Sequence, residues 1–403
     1  MKKRVLLVLF SLLTIFLSSC ASNKEHTLVI SKLYTASSMA NNVIELYNNS
    51  DNDLDLKNYS IEIYSSGSSE IALSINLMGI IKANSYHVIA GNKFREDKYL
   101  SLIDVLYDGG NLPFKGDNAV VLKYKKQIVD ILGVIGGMPL EYSRNLTLIR
   151  LGEKNTYKPY KEFDMFNFIQ YNPDLFQYLK NDNHEIKTLD DLLKGPVLEE
   201  RYKEMPFADP NNDAIGGGGA VLVNVSGVAD GDTAFFTGSS DFSGGSVRYF
   251  YIDTPEVNGS NVTAEAWGYV ASKLNKEYIL NDSSNKEIYV QSIPGYALRE
   301  TYNRSIGLVW INGFLSQFIT VSEGLSNDVG ISYKTYDFLL HYKEVPYLTF
   351  LRFAEKRAKD NGWGMKGFPI KEDGEKSPDW NYQANKLATT SPVWEPHLPM
   401  PWE

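Results

Sequence analysis

Residues 28–137 are written in short runs that alternate apolar and polar side chains: TLVISKLY, NVIELYN, YSIEIYSS, YHVIAG, NAVVLKYK and QIVDILGV. Period-two alternation rich in Val, Ile and Tyr, broken by Asn, Asp, Gly and Ser, is the pattern of half-buried strands joined by turns. Turn signals recur every roughly 8–15 residues, which predicts a small β-sandwich. Apolar faces must hold it together, because the 403-residue chain has one cysteine, Cys20, and so no intramolecular disulfide and no cysteine-based zinc site. The five histidines lie far apart, which argues against a His-rich metal centre. With 43% hydrophobic and 22% charged residues, the chain is neither disordered nor collagenous.

The chain opens with Lys2, Lys3 and Arg4, then an apolar run over residues 5–17, then Leu17-Ser18-Ser19-Cys20. That run is short for a bilayer span and carries the positive flank of a secretory signal. A cysteine directly after small residues at its end resembles a bacterial lipoprotein signal, cleaved before Cys20 and lipidated on its thiol. Several acyl chains would hold the protein where one binds only marginally. The expected localisation is the cell membrane, lipid-anchored on its extracytoplasmic face.

Beyond the signal (1–19), residues 20–26 read as the lipidated cysteine and a polar tether, and 27–182 as the sandwich with a C-terminal extension. Residues 183–219 change character, with a short helical stretch, prolines and the run Gly216-Gly217-Gly218-Gly219. The run lacks the Lys-Ser/Thr of a phosphate loop and predicts a flexible linker. From residue 220 to 367 strands return and mix with helices, one over AEAWGYVASKLNKE and a last one opened near Pro346 and stopped by Gly362. Strands with inserted and appended helices predict an OB-like barrel. Residues 368–403 form a proline- and tryptophan-punctuated tail. The fold class expected is therefore mainly β with an α+β part.

Three islands in the second half carry chemistry: ADGDT (229–233), VRYFYIDTPE (247–256) and TYNRSIG (301–307). Singly each is bland, since Asp-Gly-Asp is a common turn and a lone arginine is an ordinary surface cation. Together they supply a set. Asp232 and Asp253 are hard oxygen donors of the kind Ca²⁺ prefers, and the Thr254 carbonyl adds a third. Glu256 follows closely enough to orient or deprotonate a water. Arg248, on an expected strand over 247–252, and Arg304 offer forked donors matched to phosphate oxygens. A phosphodiester attacked by water gains negative charge, which a metal and two guanidiniums would stabilise.

Both halves resemble known families. NNVIELYNNSDNDLDLKNYSIEIY, IIKANSYHVIAG and GDNAVVLKYKKQIVDILG resemble a lamin-tail domain, an immunoglobulin-like sandwich. The three islands, followed by a terminal helix and Gly-Trp-Gly, resemble the staphylococcal-type thermonuclease family over about residues 220–367, an OB barrel with three helices. The resemblance implies Ca²⁺ held by Asp232, Asp253 and Thr254, with Asp230 supporting it from beside the metal. It implies Glu256 as general base, Arg248 and Arg304 on the phosphate, and hydrolysis of DNA and RNA to 3′-phosphorylated products. Tyr302, Tyr333 and Tyr336 fall where bases would stack. The segment carries more acidic than basic residues, unlike duplex binders, so single-stranded or loosely paired substrates are expected. The chain is expected to be monomeric; the competing function is a non-catalytic nucleic-acid- or surface-binding lipoprotein on the same folds.

The anchoring expectation has a direct test. Cys20→Ser should abolish lipid labelling and release the chain from the membrane fraction; an unchanged membrane fraction would make the apolar run itself the anchor.

Overall fold

The computed structural model describes residues 26–138, 141–239, 241–257, 265, 267–327, 329, 340–367, 395–399 and 401. Cys20, Tyr333 and Tyr336 lie outside the described residues, as does the signal segment.

The first half is a two-sheet sandwich. One sheet has six strands, with Leu28–Thr35 and Val43–Asn48 at its centre, and the other has four, with Tyr59–Tyr64 and Val120–Tyr124 inside. Side chains at alternate positions, among them Leu28, Ile30, Ile44, Leu46, Ile61, Ile63, Val120 and Leu122, meet between the sheets. The extension completes the fold: strands Leu146–Arg150 and Phe168–Tyr171 add to the edge of the six-stranded sheet.

The outer face of that sheet, expected to meet water, is also covered. Tyr34 stacks on Phe176 at 5.5 Å, and Lys32 Nζ donates to the Asn181 carbonyl at 2.9 Å. Lys32 and Glu45 are consequently fully buried as an ion pair at 2.6 Å. Such a pair survives burial because its remaining valences are used: Glu45 also accepts from Ser31 Oγ and from the Lys180 amide. A second buried pair, Arg150 with Asp130, ties the two sheets together, since Asp130 accepts from the Ile30 amide at 2.8 Å and Arg150 donates to the Ile30 carbonyl at 2.9 Å.

The second half is a barrel. Ala220–Val223 pairs antiparallel with Ile288–Gln291, and Val225–Val228 pairs antiparallel with Thr233–Phe236. The two short strands are one strand bent at Asn224, so it borders both ends of the sheet and closes it. Reciprocal bonds hold the bend: the Thr237 amide donates to the Asn224 carbonyl at 2.8 Å, and the Asn224 amide donates to Thr237 Oγ1 at 3.3 Å. Gly245–Tyr249 runs parallel to Ser305–Ile311 in the middle of this sheet. Helices Gly268–Ile279, Ser316–Ser322 and Tyr347–Asn361 accompany it, the last ending at Gly362 with φ of 65° as expected of a glycine C-cap.

The flexible linker expected over residues 183–219 is replaced by packed structure. Thr188 and Asp191 form a reciprocal capping box at the start of helix Leu189–Leu193, and Leu192 is fully buried. Tyr202, on helix Glu200–Glu204, is also fully buried; its hydroxyl donates to the His341 carbonyl and accepts from the His341 amide, each at 2.9 Å. The glycine run serves close approach. A Cβ at Gly219 would collide with the Met205 carbonyl, and the Gly218 carbonyl accepts from the buried Gln291 side chain at 3.0 Å.

This segment joins the halves into one core, in which Ile169 and Tyr171 of the extension pack with Leu192, Tyr202, Trp310 and Tyr347. Polar contacts cross directly as well: the Asn172 amide donates to the Glu344 carbonyl at 2.9 Å, and Thr349 Oγ1 to the Gln170 carbonyl at 3.2 Å. Tyr202→Phe should therefore lower the unfolding free energy by about 1–3 kcal/mol in urea melts, because it leaves the buried His341 amide without its acceptor, while the His341 carbonyl keeps Arg201 Nη2 as a donor at 3.2 Å. Unchanged stability would mean that the segment is not held as described.

Candidate active site

The site is assembled at the turn that leads into strand Thr233–Phe236. The Ala229 amide donates to the Thr233 carbonyl at 2.9 Å, and the Asp232 amide donates to the Asp230 side chain at 3.1 Å. Between them Gly231 lies against Thr254 and Ala271, with no room for a side chain. The turn thus presses Asp232 inward, leaving it 1% exposed. Asp232 Oδ2 accepts from the Thr254 amide at 2.6 Å and from Thr254 Oγ1 at 3.0 Å, while Oδ1 accepts from Thr233 Oγ1 at 3.1 Å.

Strand register brings the next group. Arg248 stands opposite Thr233, so its guanidinium reaches the neighbouring Asp232 and pairs with Oδ1. Its other terminal nitrogen pairs with Asp253 Oδ1. The strand stops at Tyr249, short of the expected 252, and Tyr251 turns the chain with φ of 72°. A positive φ is uncommon for a bulky residue and marks a turn held by its surroundings. That turn returns Asp253 to the guanidinium.

Sequence reasoning missed the residues that hold Asp253. Asn327 donates from Nδ2 to Asp253 Oδ2 and from its amide to the Asp253 carbonyl, both at 2.7 Å, and Ser326 Oγ accepts from the Asp253 amide at 3.3 Å. No local pattern marks GLSND as a partner for a residue some 70 positions earlier. Glu265 was also missed: it accepts from the Glu256 amide at 3.1 Å, while its own amide donates to the Glu256 carbonyl at 2.9 Å.

Glu256 reaches solvent at the rim. Its carboxyl is held above the usual glutamate range, first by partial burial and then by the Asp230 charge. Arg248 pulls it down, and Asp253 and Glu265 add smaller upward pushes. Asp230 is likewise raised by burial, against the lowering effects of Arg248, Thr233 and Arg304. Arg304 pairs through Nε with Glu300, a partner not singled out in the sequence, and lies 5.9 Å from the ring of Tyr302. Tyr302 is 81% exposed. Arg304 is in turn influenced by Asp230 and Glu256, so the expected residues share one electrostatic neighbourhood.

Among the described residues, no group of three or more His, Cys, Asp or Glu forms a cation site. The donor chemistry nevertheless fits a hard divalent ion, because Asp232 and Asp253 both face one positive centre, the Arg248 guanidinium, and a backbone carbonyl could complete the set.

Comparison with known proteins agrees with this architecture. Residues 21–136 match the Lamin Tail Domain family and residues 246–365 match the Staphylococcal nuclease homologue family. The chain therefore carries a lamin tail domain followed by a domain of the staphylococcal nuclease family. The second match begins after the Asp230–Asp232 turn and includes Arg248, Asp253, Glu256 and Arg304. Among individual proteins, it is similar to Endonuclease YncB of Bacillus subtilis (strain 168), at 28% identity over 154 residues. That stretch covers 36% of this chain and 64% of the relative's length.

Asn327→Ala removes a hydrogen bond to a carboxylate and should destabilise the fold by about 1.5–3 kcal/mol in denaturant titrations. A variant as stable as the parent would remove Asn327 from the support of Asp253.

Proposed function

We propose that this protein is a membrane-anchored nuclease whose barrel domain hydrolyses phosphodiester bonds in DNA and RNA. The observation that carries the reading is the Arg248 guanidinium paired with both Asp232 and Asp253, with Glu256 and Arg304 in electrostatic reach of Asp230. The family match over residues 246–365 and the likeness to an endonuclease support it.

In this mechanism the two guanidiniums receive the phosphate oxygens, and their fixed charge counts most when charge builds up during attack. Glu256 takes the proton from the attacking water. Its raised affinity for protons makes it a stronger base than an ordinary exposed glutamate, and it acts only when ionised. Glu265 holds the Glu256 backbone, and Glu300 orients Arg304. Asp232, Asp253 and the Thr254 carbonyl would hold Ca²⁺, with Asp230 supporting the turn. The ion would supply Lewis-acid stabilisation of the phosphoryl oxygens. The products would carry 3′-phosphates.

Tyr302 beside Arg304 suits stacking on an unpaired base, in line with single-stranded or loosely paired substrates. The lamin tail domain, which gathers no catalytic set, would serve binding or spacing between the barrel and the membrane that Cys20 holds.

The test is cleavage of single-stranded DNA and RNA by the mature chain, with Ca²⁺ and with chelator. Glu256→Gln should lower kcat by about 10²–10⁴-fold with little change in KM. The parent's activity should rise with pH through a step lying above the ordinary glutamate value of about 4.3, and the variant should lose that step. Calcium-independent cleavage with an unaffected variant would contradict the mechanism, and no cleavage at all would favour a binding protein on the same fold.

A further inference from the structure

A cavity of about 580 Å³ lies away from the candidate active site. It is lined by Ile186 and Leu193 of the connecting segment, by Phe314, Phe318 and Ile319 of the barrel domain, and by Leu398. Its size is that of a small-molecule site, and apolar surface dominates the lining.

Arg357, from the terminal helix, also lines this space. Its Nε and Nη2 are buried and, among the described residues, have no hydrogen-bond partner. These two nitrogens form one edge of the guanidinium, the fork that takes both oxygens of a carboxylate or two oxygens of a phosphate. Ser322 Oγ, another lining atom, is also buried and unpartnered among the described residues.

The nearby charges leave this edge open. Glu323 is the acid that acts on Arg357, but its oxygens are already used: Oε2 by the His397 amide and ring, each at 2.9 Å, and Oε1 by the Leu398 amide at 3.0 Å. At the rim, Lys343 pairs with Glu185 and Lys194 with Asp191 at 3.5 Å, so each acid there has its own cation. Trp363 lies 5.7 Å from the guanidinium carbon and offers a ring, not an acceptor. Buried donors without acceptors are costly to a fold, and a built recess beside them is where an acceptor would come from.

We propose that this cavity binds a small oxyanion on a compact apolar body, with its head on the Nε–Nη2 edge of Arg357 and its body against Phe314, Phe318 and Ile319. The site is independent of the nuclease reading.

The experiment is calorimetric titration of the full mature chain with octanoate, with 1-octanol as the uncharged control and phenyl phosphate as the phosphate arm. Octanoate or phenyl phosphate should bind one per chain, at least tenfold tighter than octanol. Arg357→Met should remove that preference without lowering Tm, because it replaces two buried guanidinium nitrogens that have no acceptor among the described residues by an apolar chain. Val197→Trp, at a half-exposed position of the rim, should weaken binding at least tenfold by filling the mouth. The proposal fails if neither anion binds, if octanol binds as well as the anions, or if both variants bind like the parent. A marked drop in Tm for Arg357→Met would also overturn it, since the guanidinium would then be serving the fold.

Discussion

Arg248 is the group on which the candidate site depends. Its guanidinium pairs with Asp232 on one side and Asp253 on the other, and so brings together a turn before one strand and a turn after the next. Two carboxylates this close would repel each other without a cation between them. The bridge exists because Thr233 and Arg248 are register partners, a register set by the hairpin that joins these two consecutive antiparallel strands. The hairpin sets the register, the register places the guanidinium, and the guanidinium gathers the acids.

The same logic extends beyond the barrel. Asp253 is held by Asn327, just after the helix Ser316–Ser322, and that helix packs against the terminal helix. The terminal helix in turn meets the connecting segment and the sandwich extension, through Thr349 to Gln170 and through the edge-on contact of Phe166 with Phe353 at 5.2 Å. The sandwich is therefore packed against the frame that carries the candidate site. This explains why the segment expected to be a flexible linker holds a capped helix and buried aromatic side chains.

Much of this was legible in the sequence, and the exceptions share a cause. Alternation located the strands, and the Gly362 stop was readable because a local rule governs helix ends. Asp232, Arg248, Asp253 and Glu256 stood out because short motifs carry them. Asn327, Glu265 and Glu300 did not, because their roles arise from contacts that only the folded chain creates. Lys32 and Glu45 were equally hidden: alternation assigns them to a wet face, and the cover supplied by residues 176–181 is a tertiary fact. The glycine run misled because glycine serves both flexibility and close approach, and only the neighbouring Met205 carbonyl distinguishes the two.

The central claim is that Asp232 and Asp253 form one cation-binding centre beside a phosphate-binding arginine pair. Calorimetric titration of Ca²⁺ into the mature chain and into its Asp232→Asn and Asp253→Asn variants tests this most directly. The account predicts one Ca²⁺ per chain in the parent, with affinity reduced at least tenfold in each variant while both remain folded. Calcium binding that is undiminished in both variants would place the ion elsewhere and contradict the account.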